Sequence, residues 1–355
     1  MSLRSGKLPP AMLSALLEGI TPGDSRLLAG PGIGRDAAVI DLGGDRLLVA
    51  TADPITFATE DIGWYAVHVN ANDIACMGAR PVWFMATVLL PPGADDGLPA
   101  TIFHQITSAC DALGITLIGG HTEVTIGIDR PIIAGTMLGE ASRDEIVLGE
   151  NVAAGDIVLL WGGIAIEGTA LLARDAATTL LERGVSAPVL ARARGMLVEP
   201  GISIVAAARE LCAVVRPRMM HDATEGGVAT ALYEMAAAAG ATIRIEPDAV
   251  QVYDETREIC AALELDPWGL LASGALLAIV APMEYVRLTL ARDIDIMSWR
   301  AIGRIEQGGP GVILRTGAIA ASLPVFERDE LARFFEREER GTDESHGTKQ
   351  DRKGS

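Results

Sequence analysis

The chain has 355 residues, of which 49% are hydrophobic and 21% charged, with a net charge of −18. That is length for two domains of ordinary size, and the acidic balance excludes nucleic acid or an anionic membrane as the main partner. It does not exclude a nucleotide, whose phosphates divalent metal and backbone donors can carry.

The four cysteines (Cys76, Cys110, Cys212, Cys260) form no C-x-x-C pair, and the five histidines form no metal-spaced cluster. Reduced thiols and the lack of a structural zinc site are therefore expected. With no apolar run of membrane length and no signal-peptide core, the expected location is the cytoplasm. Few aromatics among many Ala, Gly, Leu and Val residues suggest a layered α/β or α+β enzyme.

In chain order, a short amphipathic helix (Met12 to Leu17) precedes the glycine-rich segment Gly30-Pro31-Gly32-Ile33-Gly34-Arg35-Asp36, which runs into a strand. Gly43-Gly44-Asp45 reads as a hairpin turn, with Arg46 to Asp53 as the returning strand. A helix capped by Asp61 and ended by Gly78 carries Asn70, Asn72 and Asp73 among core-type residues, and Pro81 follows it. Val82 to Leu90, Ile115 to Ile118 and Pro131 to Gly139 read as strands, with a helix over 98–113 and a polar turn at Gly119 to Glu123. Two helices over a largely antiparallel sheet thus make an α+β first domain, residues 1–150. A linker, Leu148 to Asp156, leads into a second domain, 151–325. There helices (166–184, 201–213, 226–239, 283–292) alternate with strands (157–161, 217–220, 242–246, 274–280, 300–305). Residues 326–355 are expected to hold a terminal helix and a disordered polar tail over 341–355.

Several acids stand where the chain reverses beside glycine: Asp36, Asp53, Asp73, Glu123, Asp222 and Glu225. Turn chemistry alone favours Asp next to Gly. Together, carboxylates at the ends of strands of one sheet can converge on a hard cation such as Mg²⁺. Gly226-Gly227 opens a helix and offers bare N–H groups to a phosphate. Neither a Walker A loop, an intact G-x-G-x-x-G nor a G-x-S-x-G elbow occurs. Lys7, in the lead Ser5-Gly6-Lys7-Leu8, is a candidate point charge over a transferred phosphate, and His121 a candidate general base or donor.

The order GxGxDAAV (from Gly32), TAD (from Thr51), VNANDIACMGARP (from Val69), IGGHTE (from Ile118) and MHDATEGGVATALYEMA (from Met220) resembles the AIR synthase (PurM) superfamily. The resemblance runs from about residue 30 to 306 and is strongest toward the HypE-like, AIR synthase-related branch. It implies a PurM-like two-domain α+β fold, ATP bound with Mg²⁺ by the first domain, and a homodimer whose paired sheets form a barrel. The implied reaction phosphorylates an oxygen of a small-molecule substrate and releases ADP. By motif position, Asp36, Asp53, Asp73 and Asp222 are the implied metal ligands, joined by Glu225. Thr51, Asn70, Glu123, Gly226 and Gly227 are the implied nucleotide contacts. Arg35 stands where thiamine-monophosphate kinases have another acid, GGH replaces their GGD, and the last residues of this sequence lack the cysteine on which HypE chemistry runs. None of those reactions is therefore expected to transfer unchanged. The alternatives are a HypE-like maturation factor acting on a protein partner and a nucleotide binder without turnover.

Overall fold

The computed structural model describes residues 6–20, 23–56, 60–292 and 294–338. The expected tail over 341–355 and the lead residue Ser5 lie outside them.

After α1 (Pro10–Leu17), the first domain runs β1 (Leu27–Ala29), β2 (Ala38–Ile40), β3 (Arg46–Thr51), β4 (Pro54–Ile55), α2 (Ile62–Cys76), β5 (Arg80–Leu90), α3 (Leu98–Leu113), β6 (Thr116–Val124) and β7 (Ile132–Ser142). Its sheet has the order β1-β2-β3-β7-β5-β6, with β4 on β7. Every pairing is antiparallel except β5 with β6. Alternation in β5 (Val82 to Leu90) and β7 buries one face of that sheet, against which α2 and α3 pack.

The segment Gly119 to Glu123 is a correction. It is not a turn but continues β6 as extended strand. The cause lies at Gly120, whose φ is 150° and where an added Cβ would overlap the Ala86 carbonyl of β5. Glycine is needed there for two backbones to pass closely, and this is the other reading of a glycine inside a strand.

The second domain comprises β8 (Ile157–Trp161), α4 (Ile166–Asp175), α5 (Ala177–Glu182), α6 (Ala187–Gly195), α7 (Val205–Val214), β9 (Met219–Ala223), α8 (Gly227–Ala239), β10 (Thr242–Ile245), α9 (Asp254–Leu263), β11 (Ala275–Val280), α10 (Pro282–Leu290), β12 (Trp299–Glu306), β13 (Gly311–Thr316) and β14 (Ile319–Ser322). Its sheet order is β14-β13-β10-β12-β8-β11-β9. The expected helix over 166–184 is two helices broken at Ala176, and α6, α9, β13 and β14 were not expected. Residues 330–338 form a helix.

One helix joins the domains. Apart from Trp64, every residue of α2 is buried, because the first sheet covers one side and the second domain the other. Its polar residues therefore need partners. Asn72 Nδ2 donates to the Ile202 carbonyl and Asn72 Oδ1 accepts from the Ile204 N–H, both at 2.9 Å, across the domain boundary. Asp61 occupies the N-cap position, yet its side chain makes no cap hydrogen bond. Among the described residues, no helix is long and apolar enough to cross a membrane.

Candidate active site

Asp36 enters the site from the loop before β2. Gly34 makes that approach possible: at φ +70° it lies so close to α8 that a Cβ would stand 2.8 Å from the Glu234 carbonyl. Thr51 ends β3 and Asp53 follows it, while Asn70, Asp73 and Cys76 recur on α2 with the spacing of one helix face. The second domain adds His221 and Asp222 from β9, Glu225 from the turn after it, and Glu234 from α8.

These groups converge. Ligand atoms of Asp36, Cys76 and Asp222 all lie within 4.8 Å of one another. Cys76 Sγ stands 4.0 Å from Asp222 Oδ1. The Thr51 hydroxyl is 2.8 Å from Asp73 Oδ2 and 2.9 Å from the Asp36 carbonyl, and its one proton serves either. Asn70 is fully spent on backbone: it accepts from the Asp53 N–H at 3.0 Å and donates to the carbonyls of Asp53 and Ala66. Its place is behind Asp53, fixing that residue, rather than against a nucleotide.

The electrostatics follow from crowding acids in a buried space. Burial, reinforced by Asp222, Asp53 and Asp36, pushes the Asp73 carboxyl well above the usual range. Burial and the Asp36 charge lift Asp222 to about 7. Asp53 is raised by burial and neighbouring acids against the opposing pull of Lys7. Among the described residues, His221 and Lys7 bring positive charge to these acids. His221 Nδ1 lies 2.7 Å from Asp36 Oδ1, an ion-pair contact without hydrogen-bond alignment, and His221 Nε2 lies 3.0 Å from Glu234 Oε2. Burial alone would lower the His221 pKa, but these two carboxylates raise it well above the ordinary value. Lys7 Nζ reaches Glu234 at 3.5 Å while its backbone N–H donates to Glu225 Oε1 at 3.2 Å. The lysine side chain stays 44% exposed, so these pairings are solvent-screened.

Asp36 Oδ2 and Asp222 Oδ2 remain buried without a hydrogen-bond partner. Such orphans are rare, and carboxylate oxygens facing one another are the donor set of a hard divalent cation. Burial and the three aspartates keep the Cys76 thiol neutral by pushing its pKa well up, which removes a soft thiolate from that set. The residues present fit Mg²⁺.

A cleft of about 730 Å³ opens beside the cluster, lined by Lys7, Asp53 and Glu225 and also by Glu167, Ser273 and Asp329. Two expectations need correcting against it. Asp329 Oδ2 already accepts the Gly226 N–H at 2.7 Å, and the Gly227 N–H bonds the Thr224 carbonyl, so a carboxylate and a carbonyl take the donors expected to cradle a phosphate. His121 and Glu123 pair with each other at 3.2 Å on the edge strand β6, the histidine side chain 64% exposed, and neither lines this cleft.

Residues to which the sequence assigned no role in the site are Glu234, His221, Cys76, Glu167 and Asp329. Glu234 and Glu167 did leave a signal. Each is the lone acid in a run otherwise suited to a core, GVATALYEMAAAA and IVLLWGGIAIEGTALLA.

The family models for the AIR synthase related protein match here, the N-terminal domain over residues 34–141 and the C-terminal domain over 153–315. A protein named for hydrogenase expression and formation in Methanocaldococcus jannaschii is 30% identical over 302 residues, covering 82% of this chain and 85% of that one. The thiamine-monophosphate kinase of Pyrococcus abyssi is 29% identical over 315 residues, 84% of this chain and 91% of the kinase. Among solved structures, the hydrogenase maturation protein HypE in complex with ATP superposes with a TM-score of 0.64 at 24% identity, covering 90% of this chain and 96% of that one. A chain of the HypE–HypF complex gives 0.68 at 20% identity, covering 90% and 100%. The two matched domains, in the order the motifs required and on a HypE-like fold, place this chain in the AIR synthase-related family.

Proposed function

We propose that this protein is an ATP- and Mg²⁺-dependent enzyme that activates a small-molecule oxygen by phosphorylation and releases ADP. The observation that carries the reading is the convergence of Asp36, Asp73 and Asp222 around partnerless carboxylate oxygens, beside a cleft that Lys7 and Asp53 enter. Relatives named as a kinase and solved with ATP support it.

Asp36, Asp53, Asp73 and Asp222 would hold the metal, which when bound neutralises the triphosphate and the charge of the transferred phosphoryl group. The chain's own residues do the positioning. Asn70 fixes the Asp53 backbone, Thr51 orients Asp73, and the His221–Glu234 pair holds Asp36. Lys7 brings a positive charge to the cleft, and Glu225 anchors its backbone. A homodimer belongs to the same reading. The edge strand β6, with Ile118 and Val124 exposed beside His121 and Glu123, is where we place the contact between copies.

The test is thermal unfolding with Mg²⁺-ATP. At about 100 times the dissociation constant, ligand adds about 2.7 kcal/mol of stability, and the melting temperature rises. Asp222→Asn is expected to abolish that rise; an unchanged wild-type melting temperature overturns nucleotide binding. A second reading, a maturation factor acting on a protein partner, draws on the likeness to the chain in the HypE–HypF complex. It is distinguished by ATP turnover that appears only when a partner protein is added.

A further inference from the structure

Glu167 stands in the first turn of α4 and lines the cleft, yet only 5% of its surface is exposed. Its Oε2 has no hydrogen-bond partner. The charge that acts on it is another acid, Asp329, and among the described residues no cation is paired with it. Ser273, itself buried, gives it partial support from hydroxyl and backbone N–H. The cleft that Glu167 lines carries the apolar side chains Val69, Leu171, Leu271 and Leu331, and its two cations, Lys7 and Arg130, are not among the groups that shift Glu167. The phenol of Tyr65 nearby is a second buried polar atom without a partner, its pKa raised by burial and by the Glu167 charge.

A carboxylate buried in apolar walls without a cation is costly, so a fold that keeps one there leaves its partner to come from outside. The acid cluster does not use it, since Glu167 is not among the residues that meet Asp36, Asp73 and Asp222. Burial holds the carboxyl protonated up to about pH 7, and an arriving cation would ionise it.

From this geometry we infer that Glu167 is the specificity residue for the substrate, receiving a cationic nitrogen group (an amidinium, guanidinium or ammonium) borne on an apolar body that packs along Val69, Leu171 and Leu271. That this molecule is the phosphate acceptor rests on the phosphoryl-transfer reading above; the cation preference rests on Glu167 alone. A planar amidinium suits the site best, because it can present two donors to one carboxylate.

The experiment measures binding of benzamidine and benzoate, a pair alike in shape and opposite in charge, to the full chain by calorimetry at pH 8. Benzamidine is expected to bind wild type at least tenfold more tightly than benzoate. Glu167→Gln is expected to lose at least tenfold of the benzamidine affinity, whereas Glu167→Asp, which keeps the charge, retains the preference for benzamidine. Equal binding of the two probes, a benzamidine affinity unmoved by Glu167→Gln, or a preference lost in Glu167→Asp overturns the inference. The Mg²⁺-ATP melting shift of wild type, run alongside, reads the nucleotide proposal separately. A shift without benzamidine preference sinks only the Glu167 assignment, and the preference without a shift sinks only the nucleotide.

Discussion

Replacing Glu167 with glutamine should make the protein more stable at neutral pH, and the size of the gain can be worked from its surroundings. Burial raises this carboxyl from 4.5 to about 7. In the unfolded chain it ionises near pH 4.5, while in the fold it stays protonated to about 7. The fold therefore holds the extra proton in that window, so stability is fully present below pH 4.5 and is lost as pH rises through 7. At about 1.4 kcal/mol per pH unit, the loss amounts to about 3 kcal/mol. Glutamine keeps the shape and cannot ionise. Urea unfolding of wild type and Glu167→Gln at pH 4.5 and pH 8 isolates this group, because the other titrations cancel in the comparison. The variant should match wild type within about 0.5 kcal/mol at the lower pH and exceed it by about 3 kcal/mol at the higher. A difference that does not change with pH, or a variant weaker than wild type at pH 8, would refute the burial argument.

Asn72→Ala removes the side chain that bonds both Ile202 and Ile204 and leaves two buried backbone groups without that partner. At about 1–3 kcal/mol for each, urea unfolding should show a loss of about 2–6 kcal/mol, and a loss below about 1 kcal/mol would mean those groups find water. Gly120→Ala places a methyl group on the Ala86 carbonyl, so β6 must part from β5; faster amide exchange along both strands is expected, and unchanged protection would show the strands can shift freely. Ile118→Lys with Val124→Lys puts charge on the exposed edge strand, and light scattering should then report a monomer in place of a dimer. A wild-type mass of one chain at micromolar concentration would refute the dimer itself.

The acids were legible because each broke a local pattern: Asp73 in a core-like helix, Asp36 and Asp222 beside glycines at chain reversals. Spacing along the chain could not reveal that Asn70 faces the Asp53 backbone rather than a ligand, since that depends on how β3 and α2 come together in space. Glycine pairs were the ambiguous signal. Gly119-Gly120 serves close packing of strands, not a turn, and the donors of Gly226-Gly227 are taken by Asp329, from more than 100 residues later, and by Thr224. The short helices α6 and α9 were missed because their apolar faces are brief and interrupted by charge, so only packing against α4 makes them worth forming.

The acids that act on one another come from both halves: Asp36, Asp53 and Asp73 from before the linker and Asp222 from after it. Neither half of the chain holds the full set, so an ion seated among them would act as a rivet between the halves, in addition to the packing of the buried helix α2. Calcium or magnesium should then resist shear between the domains as much as unfolding within either one. A protease cut in the linker from Leu148 to Asp156 would leave two fragments that stay together with the ion and drift apart in a chelator.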